Sequence, residues 1–466
     1  MKKLIAVLLA LSCLLAFAAC GETPADTTPT TPVPATTPAT TDPTTEPTAE
    51  PTTEPTEPGV TVMTYDEYAA AAMDAPVVVE FYVQATQSWW NDQIVVYGQD
   101  ENGGYLAYNL ACSEEDAAKL TAGTKIRVTG FKGEYAGEVE IVDGTFEFVE
   151  AEAWIAEPTD VTTLLGTEEL AAQMNKKVSF TGLTVKAIEY KNGEPGDDIY
   201  VTVGYNGADY SFCVERYLTD PETEVYKAFA DLTPGTVVNM EGFLYWYNGV
   251  NTHITAVSVF EDTKGEGVMT YAEYAAAEMD AAVVVEFYVQ ATQSWWNDQI
   301  VVYGQDLEGG YLAYNLACSQ EDAAKLVPGT KIKVTGFKGE YAGEVEIVDG
   351  TFEFVEGFYV ADTTDVTALL GTEELAAQMN KKVSFTGLTI EAIDYKNGEP
   401  GDDIYVTVGY NGASYSFCVE RYLTDPETEV YKAFADLTVG AVVDIQGFLY
   451  WYNGVNTHIT GITVVG

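Results

Sequence analysis

The segment VVVEFYVQATQSWWNDQIVVYGQD, residues 77–100, decides the fold, and it recurs letter for letter at residues 283–306. Apolar and polar residues alternate over positions 77–83, which is the two-residue period of a β-strand with one buried face. A second apolar run follows at 93–99. The segment therefore predicts two strands joined by a turn at residues 87–92.

The predicted turn contains two adjacent tryptophans, Trp89 and Trp90, and its second copy contains Trp295 and Trp296. Adjacent residues at the end of a strand point to opposite faces, so only one indole of each pair can readily enter the core. The other is expected at the hairpin tip, where an aromatic face can stack on a sugar ring. The alternative is that both indoles are buried, one in the core and one against a neighbouring module.

A second aromatic turn occurs later in the chain. It contains Trp246 and Tyr247, and its copy contains Trp451 and Tyr452. The turn is closed by an Asn-Gly dipeptide, which is typical of a tight hairpin. The same two interpretations, binding tip or packing contact, apply here.

After the first segment, the pattern continues with a strand at 105–112, a short helix, and strands at 125–131 and 138–149. Three strands, a helix and two strands are the element order of the OB-fold, a five-stranded Greek-key barrel. The stretch LTAGTKIRVTGFKGEY, residues 120–135, resembles the corresponding piece of OB-fold domains. The resemblance implies a mainly β fold of OB-fold-like barrels with short helices.

Residues 160–261 repeat this element order with a different sequence, including a helix predicted to begin at Asp220 and Pro221. The whole pair then repeats, since residues 268–356 match residues 62–150 at about nine positions in ten. We therefore predict four modules on a stalk. The predicted segments are, in chain order, a signal peptide at 1–19, a disordered Thr/Pro/acid-rich stalk at 20–59, module 1a at 60–157, module 1b at 158–262, a linker at 263–267, module 2a at 268–362 and module 2b at 363–466.

The N-terminus has the pattern of an export signal. Lys2 and Lys3 precede an apolar run at 4–15 that is too short for a comfortable membrane span. The following FAACG motif resembles the lipobox of bacterial lipoproteins, in which the cysteine, here Cys20, carries the lipid. The alternative is ordinary signal cleavage. The stalk is rich in proline and threonine, a composition that favours an extended, disordered chain.

Together, the lipobox-like motif and the tandem OB-like pattern resemble exported OB-fold lipoproteins of Gram-positive anaerobes. The resemblance implies an extracytoplasmic protein that is lipid-anchored in the cell membrane and exposed at the bacterial surface. It implies no particular activity.

The charge of the chain is strongly acidic, with 22 Lys and Arg against 72 Asp and Glu, a formal net charge of −50. A surface of this sign repels phosphates. The sequence contains no basic stripe of the kind that nucleic-acid-binding proteins carry. We therefore expect no nucleic-acid partner.

The residues that most often hold metals or catalyse reactions have structural interpretations here. Cys112, Cys213, Cys318 and Cys418 occupy equivalent module positions, which favours buried thiols over disulfides between modules. His253 and His458, one in each copy, are expected to be hydrogen-bonded structural residues. The acidic loops at 194–198 and 399–403 could bind calcium but lack EF-hand spacing, so solvated turn acids are favoured. No cofactor and no metal are expected.

These observations favour a non-enzymatic binding protein for a glycan, a peptidoglycan or other cell-wall polymer, or a surface protein. The candidate binding residues are the aromatic hairpin tips, Trp89, Trp90, Trp246, Tyr247, Trp295, Trp296, Trp451 and Tyr452. A spacer or assembly scaffold is the first alternative. A hydrolase of wall polymers is the weakest, because the sequence contains no motif for a nucleophile, a metal or a phosphate.

Overall fold

A computed structural model describes residues 61–465 of the chain. The predicted signal peptide, Cys20 and the Thr/Pro-rich stalk lie outside the described residues. Within them the chain is mainly β, with short helices, as the sequence predicts.

The first module is a closed five-stranded barrel with the strand order β1-β2-β3-β5-β4. Strands β3 and β5 run parallel where Ala107 pairs with Ile141, and the other neighbours are antiparallel. This arrangement confirms the predicted OB-like barrel. Its elements are α1 (Tyr65–Ala70), β1 (Pro76–Thr86), β2 (Gln93–Gln99), β3 (Gly104–Ala111), α2 (Glu114–Ala117), β4 (Lys125–Tyr135) and β5 (Glu138–Phe148).

The second module is a six-stranded sheet in which β10 pairs with both β11 and β7, so that five of its strands close on themselves. Its elements are β6 (Thr159–Asp160), 3-10 helices at Thr162–Leu164 and Glu168–Gln173, β7 (Lys177–Tyr190), β8 (Ile199–Tyr205), β9 (Ala208–Val214), α3 (Glu224–Asp231), β10 (Val237–Phe243) and β11 (His253–Val259). The helix α3 begins later than predicted. Asp220 instead accepts a hydrogen bond from the Glu222 amide, and the hydroxyl of Thr223 caps the helix.

The second pair of modules repeats both topologies. Its elements are α4 (Tyr271–Ala276), β12 (Ala282–Thr292), β13 (Gln299–Gln305), β14 (Gly310–Ala317), α5 (Gln320–Ala323), β15 (Thr330–Tyr341), β16 (Glu344–Phe358), β17 (Thr364–Asp365), 3-10 helices at Thr367–Leu369 and Glu373–Gln378, β18 (Lys382–Tyr395), β19 (Ile404–Tyr410), β20 (Ala413–Val419), α6 (Glu429–Asp436), β21 (Val442–Phe448) and β22 (His458–Val464).

The alternation along β1 places one face in the barrel core, as predicted. Val77, Val79 and Phe81 are almost fully buried. The Phe81 ring packs directly over Gly98 of β2, where a Cβ would lie 2.1 Å from the ring. Any side chain at Gly98 would therefore displace the ring that fills the barrel.

The two modules of a pair share a buried polar seam. The hydroxyl of Tyr97 in the first module lies 2.6 Å from Nδ1 of His253 in the second. The His253 ring also stacks on Tyr245, with 4.1 Å between centroids. Burial lowers the pKa of His253 to about 4, so its imidazole is neutral at neutral pH. Tyr303, Tyr450 and His458 repeat the arrangement.

A buried carboxyl completes the seam. Glu138 Oε2 accepts a 2.7 Å hydrogen bond from the backbone amide of Trp246, and burial raises the pKa of Glu138 to about 8. Among the described residues, Glu138 Oε1 and Asn175 Oδ1 are both buried without a hydrogen-bond partner. Protonation removes the negative charge from this buried carboxyl and turns one of its oxygens into a donor, and the raised pKa favours that form.

Replacing Glu138 and Glu344 by glutamine should stabilise the protein above neutral pH. The folded-state pKa of about 8 exceeds the ordinary 4.5, so the folded chain retains a proton that the unfolded chain releases. This contribution to stability is complete below pH 4.5 and is lost as the pH rises towards 8. Glutamine stays neutral, so we expect a gain on the order of 4 kcal/mol per site at pH 8, where most of the stability linked to this proton has been lost.

Thermal unfolding followed by circular dichroism at pH 5 and pH 8 measures this gain. The matched control replaces the exposed Glu134 and Glu340 by glutamine and should show no pH-dependent gain. Equal stabilisation of the Glu138 and Glu344 variant at both pH values would contradict a protonated seam.

Candidate functional site

The hairpin between β1 and β2 ends in a tight turn. The backbones of Trp90 and Gln93 exchange two 3.0 Å hydrogen bonds. Between them, Asn91 and Asp92 adopt positive φ angles of 50° and 60°. Two consecutive positive φ angles define a type I′ turn, whose twist matches that of the flanking strands. The turn therefore fixes the position of Trp90 at the tip.

The two tryptophans of the hairpin have different environments, as the alternation predicts. Trp89 packs against the barrel core, and its indole Nε1 donates a 2.8 Å hydrogen bond to the carbonyl of Cys112. Trp90 is 78% exposed. Trp295 and Trp296 repeat this division, with the same 78% exposure of Trp296.

A loop of the second module lies beside this hairpin and contributes Tyr217. The amide of Ser88 donates a 2.7 Å hydrogen bond to the Tyr217 carbonyl. Glu215 Oε2 accepts from the amides of Tyr217 and Leu218, at 3.1 and 2.9 Å. These bonds hold the loop, while the Tyr217 ring stays half exposed with the Arg216 guanidinium 4.6 Å from its centroid.

The hairpin and the loop enclose a groove of about 230 Å³. A groove of about 250 Å³ occupies the equivalent position in the second pair. Eight residues line each groove, and their types are identical in the two copies. They are Gln87, Ser88, Trp90, Gln93, Ile94, Val95, Asn109 and Tyr217 in the first pair, and Gln293, Ser294, Trp296, Gln299, Ile300, Val301, Asn315 and Tyr422 in the second. We call these the Trp90 groove and the Trp296 groove.

The lining combines aromatic surface with uncharged hydrogen-bonding groups. Gln87, Gln93 and Asn109 provide amides that can both donate and accept. Gln87 Nε2 also donates to the Tyr97 hydroxyl at 3.3 Å, which links the groove to the seam between the modules. Such a surface suits a polar, uncharged ligand with flat apolar faces.

The second aromatic turn packs mainly between modules. Trp246 lies over Gly137 of the first module and against the core of the second. The amide of Asn248 donates to the carbonyl of Ala136 at 2.7 Å. Tyr247 is half exposed beside Tyr135, with 6.2 Å between centroids. Trp451 and Tyr452 repeat these positions.

The remaining candidate residues have structural surroundings. Cys112, Cys213, Cys318 and Cys418 are free, buried thiols. In the acidic loop, Asp198 pairs with Lys191 at 2.8 Å and Asp197 lies 3.6 Å from Arg216. Across residues 61–465, no group of three or more His, Cys, Asp or Glu side chains could hold a metal ion. No helix in this same span has the length and apolar character needed to cross a membrane.

Tyr217 and Tyr422 are groove residues outside the set predicted from the sequence. Both follow the third strand of their module in the segment ERYLTD, which is identical in the two copies. An Arg-Tyr pair that is repeated in a predicted loop was the one sequence signal that could have indicated a binding role for these tyrosines. Its relation to Trp90 depends on how two modules pack, which a residue pattern within one module does not reveal.

A scan against protein-family models finds no match for the chain, and a search of curated proteins finds none. The structure is similar to several solved structures. A replication protein A heterotrimer bound to single-stranded DNA covers 85% of this chain and 95% of its own, at 9% identity and a TM-score of 0.22. A murine DNA binding protein bound with double-stranded DNA covers 39% and 96%, at 12% identity and a TM-score of 0.17.

The predicted exclusion of a nucleic-acid partner is wrong, because the similar solved structures include proteins bound to single-stranded and double-stranded DNA. The exclusion relied on the net charge of −50, which describes the whole surface and not one groove. With TM-scores of 0.22 and 0.17, these similarities assign no nucleic-acid ligand to this chain either.

Iodide should quench the fluorescence of Trp90 and Trp296 selectively, because these indoles are exposed whereas Trp89 and Trp295 are packed against the barrel cores. Replacing Trp90 and Trp296 by phenylalanine should remove most of the quenchable emission. The matched control replaces Trp89 and Trp295 by phenylalanine, and this variant should keep most of the emission that iodide quenches. Similar quenching of all tryptophans in the wild-type protein would contradict the assigned environments.

Proposed function

We propose that the chain binds segments of a neutral polysaccharide in the Trp90 and Trp296 grooves, without chemically changing them. One observation carries this proposal: an exposed indole, a half-exposed phenol ring and three amides line a groove that occurs twice with identical residue types. The grooves include Trp90 and Trp296 from the predicted set, and add Tyr217 and Tyr422.

The chemistry of the groove walls supports a sugar ligand. A sugar ring presents apolar C–H faces and a rim of hydroxyl groups. The rings of Trp90 and Tyr217 offer surfaces for the faces, since aromatic side chains combine a large apolar area with a partial negative charge. The amides of Gln87, Gln93 and Asn109 can pair with hydroxyls in either direction.

The charge distribution supports a neutral polymer. All eight lining residues of each groove are uncharged. Two equivalent grooves on one chain would also raise the apparent affinity for a repeating polymer, because the second contact becomes intramolecular.

A surface location is part of the proposal. The export signal, the lipobox-like motif at Cys20 and the stalk composition support a lipid-anchored protein held away from the membrane. Wall or extracellular polysaccharides would then be within reach of the grooves.

A scaffold is the second candidate. Trp89 and Trp246 serve packing, and the modules of each pair are joined through a buried seam. These features favour a rigid spacer. They do not account for an indole at each hairpin tip with 78% of its surface exposed.

We propose no catalytic role for the cleft between the two pairs. Asp306 and Asp362 line this cleft, but Asp306 pairs with Lys264 at 2.8 Å and Asp362 pairs with Lys186. Acid–base catalysis of glycoside hydrolysis uses two carboxyls on either side of the scissile bond, one of them protonated. Both carboxyls of this cleft are instead engaged by lysine side chains within the protein.

Replacing both Trp90 and Trp296 by alanine should weaken polysaccharide binding by about tenfold or more, because each groove loses its main stacking surface. The measurement is co-sedimentation with peptidoglycan and with insoluble neutral glucans of α and β linkage, followed by titration calorimetry with soluble fragments. Single-stranded oligothymidine is titrated in parallel.

The matched control replaces Tyr247 and Tyr452 by alanine, since these aromatic rings are about half exposed but lie outside the grooves. It should bind like wild type. Unchanged binding by the Trp90 and Trp296 variant, or retention of none of the polysaccharides, would overturn the proposal. Tighter binding of oligothymidine that depends on the same tryptophans would also overturn it and would assign another ligand class.

A further inference from the structure

The two pairs contact each other through the segment that joins modules 2a and 2b. Val360 of this segment is 3% exposed and belongs to the hydrophobic core cluster of module 1b. Tyr359 lies against Gly182 and stacks on Phe260, with 5.4 Å between centroids. Apolar side chains of one pair are therefore buried by the other.

Polar bonds fix the orientation of this contact. The carboxylate of Asp362 accepts a 2.8 Å hydrogen bond from the Gly207 amide and forms an ion pair with Lys186. Gln446 Nε2 donates to the Gly207 carbonyl at 3.2 Å, and Lys382 donates to the Asn206 side chain. The Asn206-Gly207 turn of module 1b is thus held from three sides by the second pair.

Residues 154–157 of the first pair are the counterpart of residues 359–362, the segment of the second pair that docks on module 1b. We call this the head face. In the alignment of the two copies, Ile155 corresponds to Val360 and Trp154 to Tyr359. Gln84 accepts from the Ala156 amide at 2.8 Å, as Gln290 does from Ala361. Both segments therefore make the same hydrogen bond to their own barrel, yet Ile155 is 54% exposed.

The second pair carries its own copy of the receiving turn, which we call the tail face. Asn411 and Gly412 have φ angles of 50° and 80°, close to the 52° and 82° of Asn206 and Gly207. Val465 corresponds to Phe260 and is 57% exposed, whereas Phe260 is 8% exposed. Both halves of the contact between pairs are therefore present again on the outside of the described unit.

The charges on these outer faces differ from those of the internal contact. Glu391 replaces Lys186 on the tail face, and Glu157 replaces Asp362 on the head face. Glu241 of the head face replaces Gln446, the donor to the Gly207 carbonyl. If a second copy of the chain docked in the internal geometry, Glu391 would meet Glu157. The Glu241 carboxylate would meet a carbonyl oxygen.

We propose that the head and tail faces are the two halves of a self-association interface for a second copy of this chain, and that Glu391, Glu157 and Glu241 hold them apart at neutral pH. The apolar and backbone elements of the internal contact are retained, so the shape is self-complementary. Like charges directly opposite each other oppose association strongly when they are desolvated. Head-to-tail contacts of this kind extend to rings or filaments once the repulsion is removed.

The test uses the purified full-length protein and gives its outer faces the residues of the internal contact, a lysine at position 391 and a glutamine at position 241. Sedimentation velocity should give a monomer for wild type at neutral pH. The Glu241→Gln, Glu391→Lys variant should form oligomers larger than dimers that grow with concentration, because the lysine introduced at position 391 can then pair with Glu157. Adding Glu157→Lys should return the protein to a monomer, because two lysines then oppose each other.

The matched control is Glu399→Lys, which makes the same charge change at an exposed position of the same module, away from the tail face. It should stay monomeric. A monomeric Glu241→Gln, Glu391→Lys variant would overturn the proposal, as would equal association of the triple variant or of wild type. None of these outcomes depends on polysaccharide binding, so this test and that of the grooves fail independently.

Discussion

The rest of the structure depends on a hydrogen bond between two buried polar side chains of different modules, the Tyr97 hydroxyl and the His253 imidazole. A buried hydroxyl or imidazole without a partner would lose a hydrogen bond and its hydration, at a cost on the order of several kcal/mol. The His253 imidazole therefore depends on a hydroxyl of the other module, and this bond favours one relative position of the two barrels. Glu138 and the Trp246 amide add a second bond of the same kind. Apolar contacts alone would allow the barrels to slide, whereas these bonds fix the register.

The barrels themselves could be predicted from the sequence, because alternation of apolar residues and positive-φ turn residues are local signals. The opposite environments of Trp89 and Trp90 follow from the two-residue period of a strand. The start of helix α3 could not be predicted as reliably. Asp220, Thr223 and Pro221 all favour helix starts, and the competition between an Asp-centred turn and a Thr cap is decided by local geometry.

The groove was beyond prediction for a different reason. Trp90 and Tyr217 come from separate modules, and no pattern within either one indicates that the two rings meet. Net charge has the same limitation as a predictor of ligands, because it sums over the whole chain whereas a groove presents only the few groups that line it. The internal duplication helps here. Positions that are identical in both copies, such as the groove lining, can be compared with positions that changed, such as Lys186 and Glu391, within one polypeptide.

The Trp90 groove has one wall in each module, and this has a thermodynamic consequence. A ligand that touches both Trp90 and Tyr217 can bind fully only while the two barrels are docked. Its binding free energy therefore adds to the free energy that keeps the modules together, and the coupling acts equally in both directions. Ligand would raise the force needed to pull a pair apart. Tension applied along the chain would, in turn, lower the affinity for the ligand, because it favours separation of the two modules.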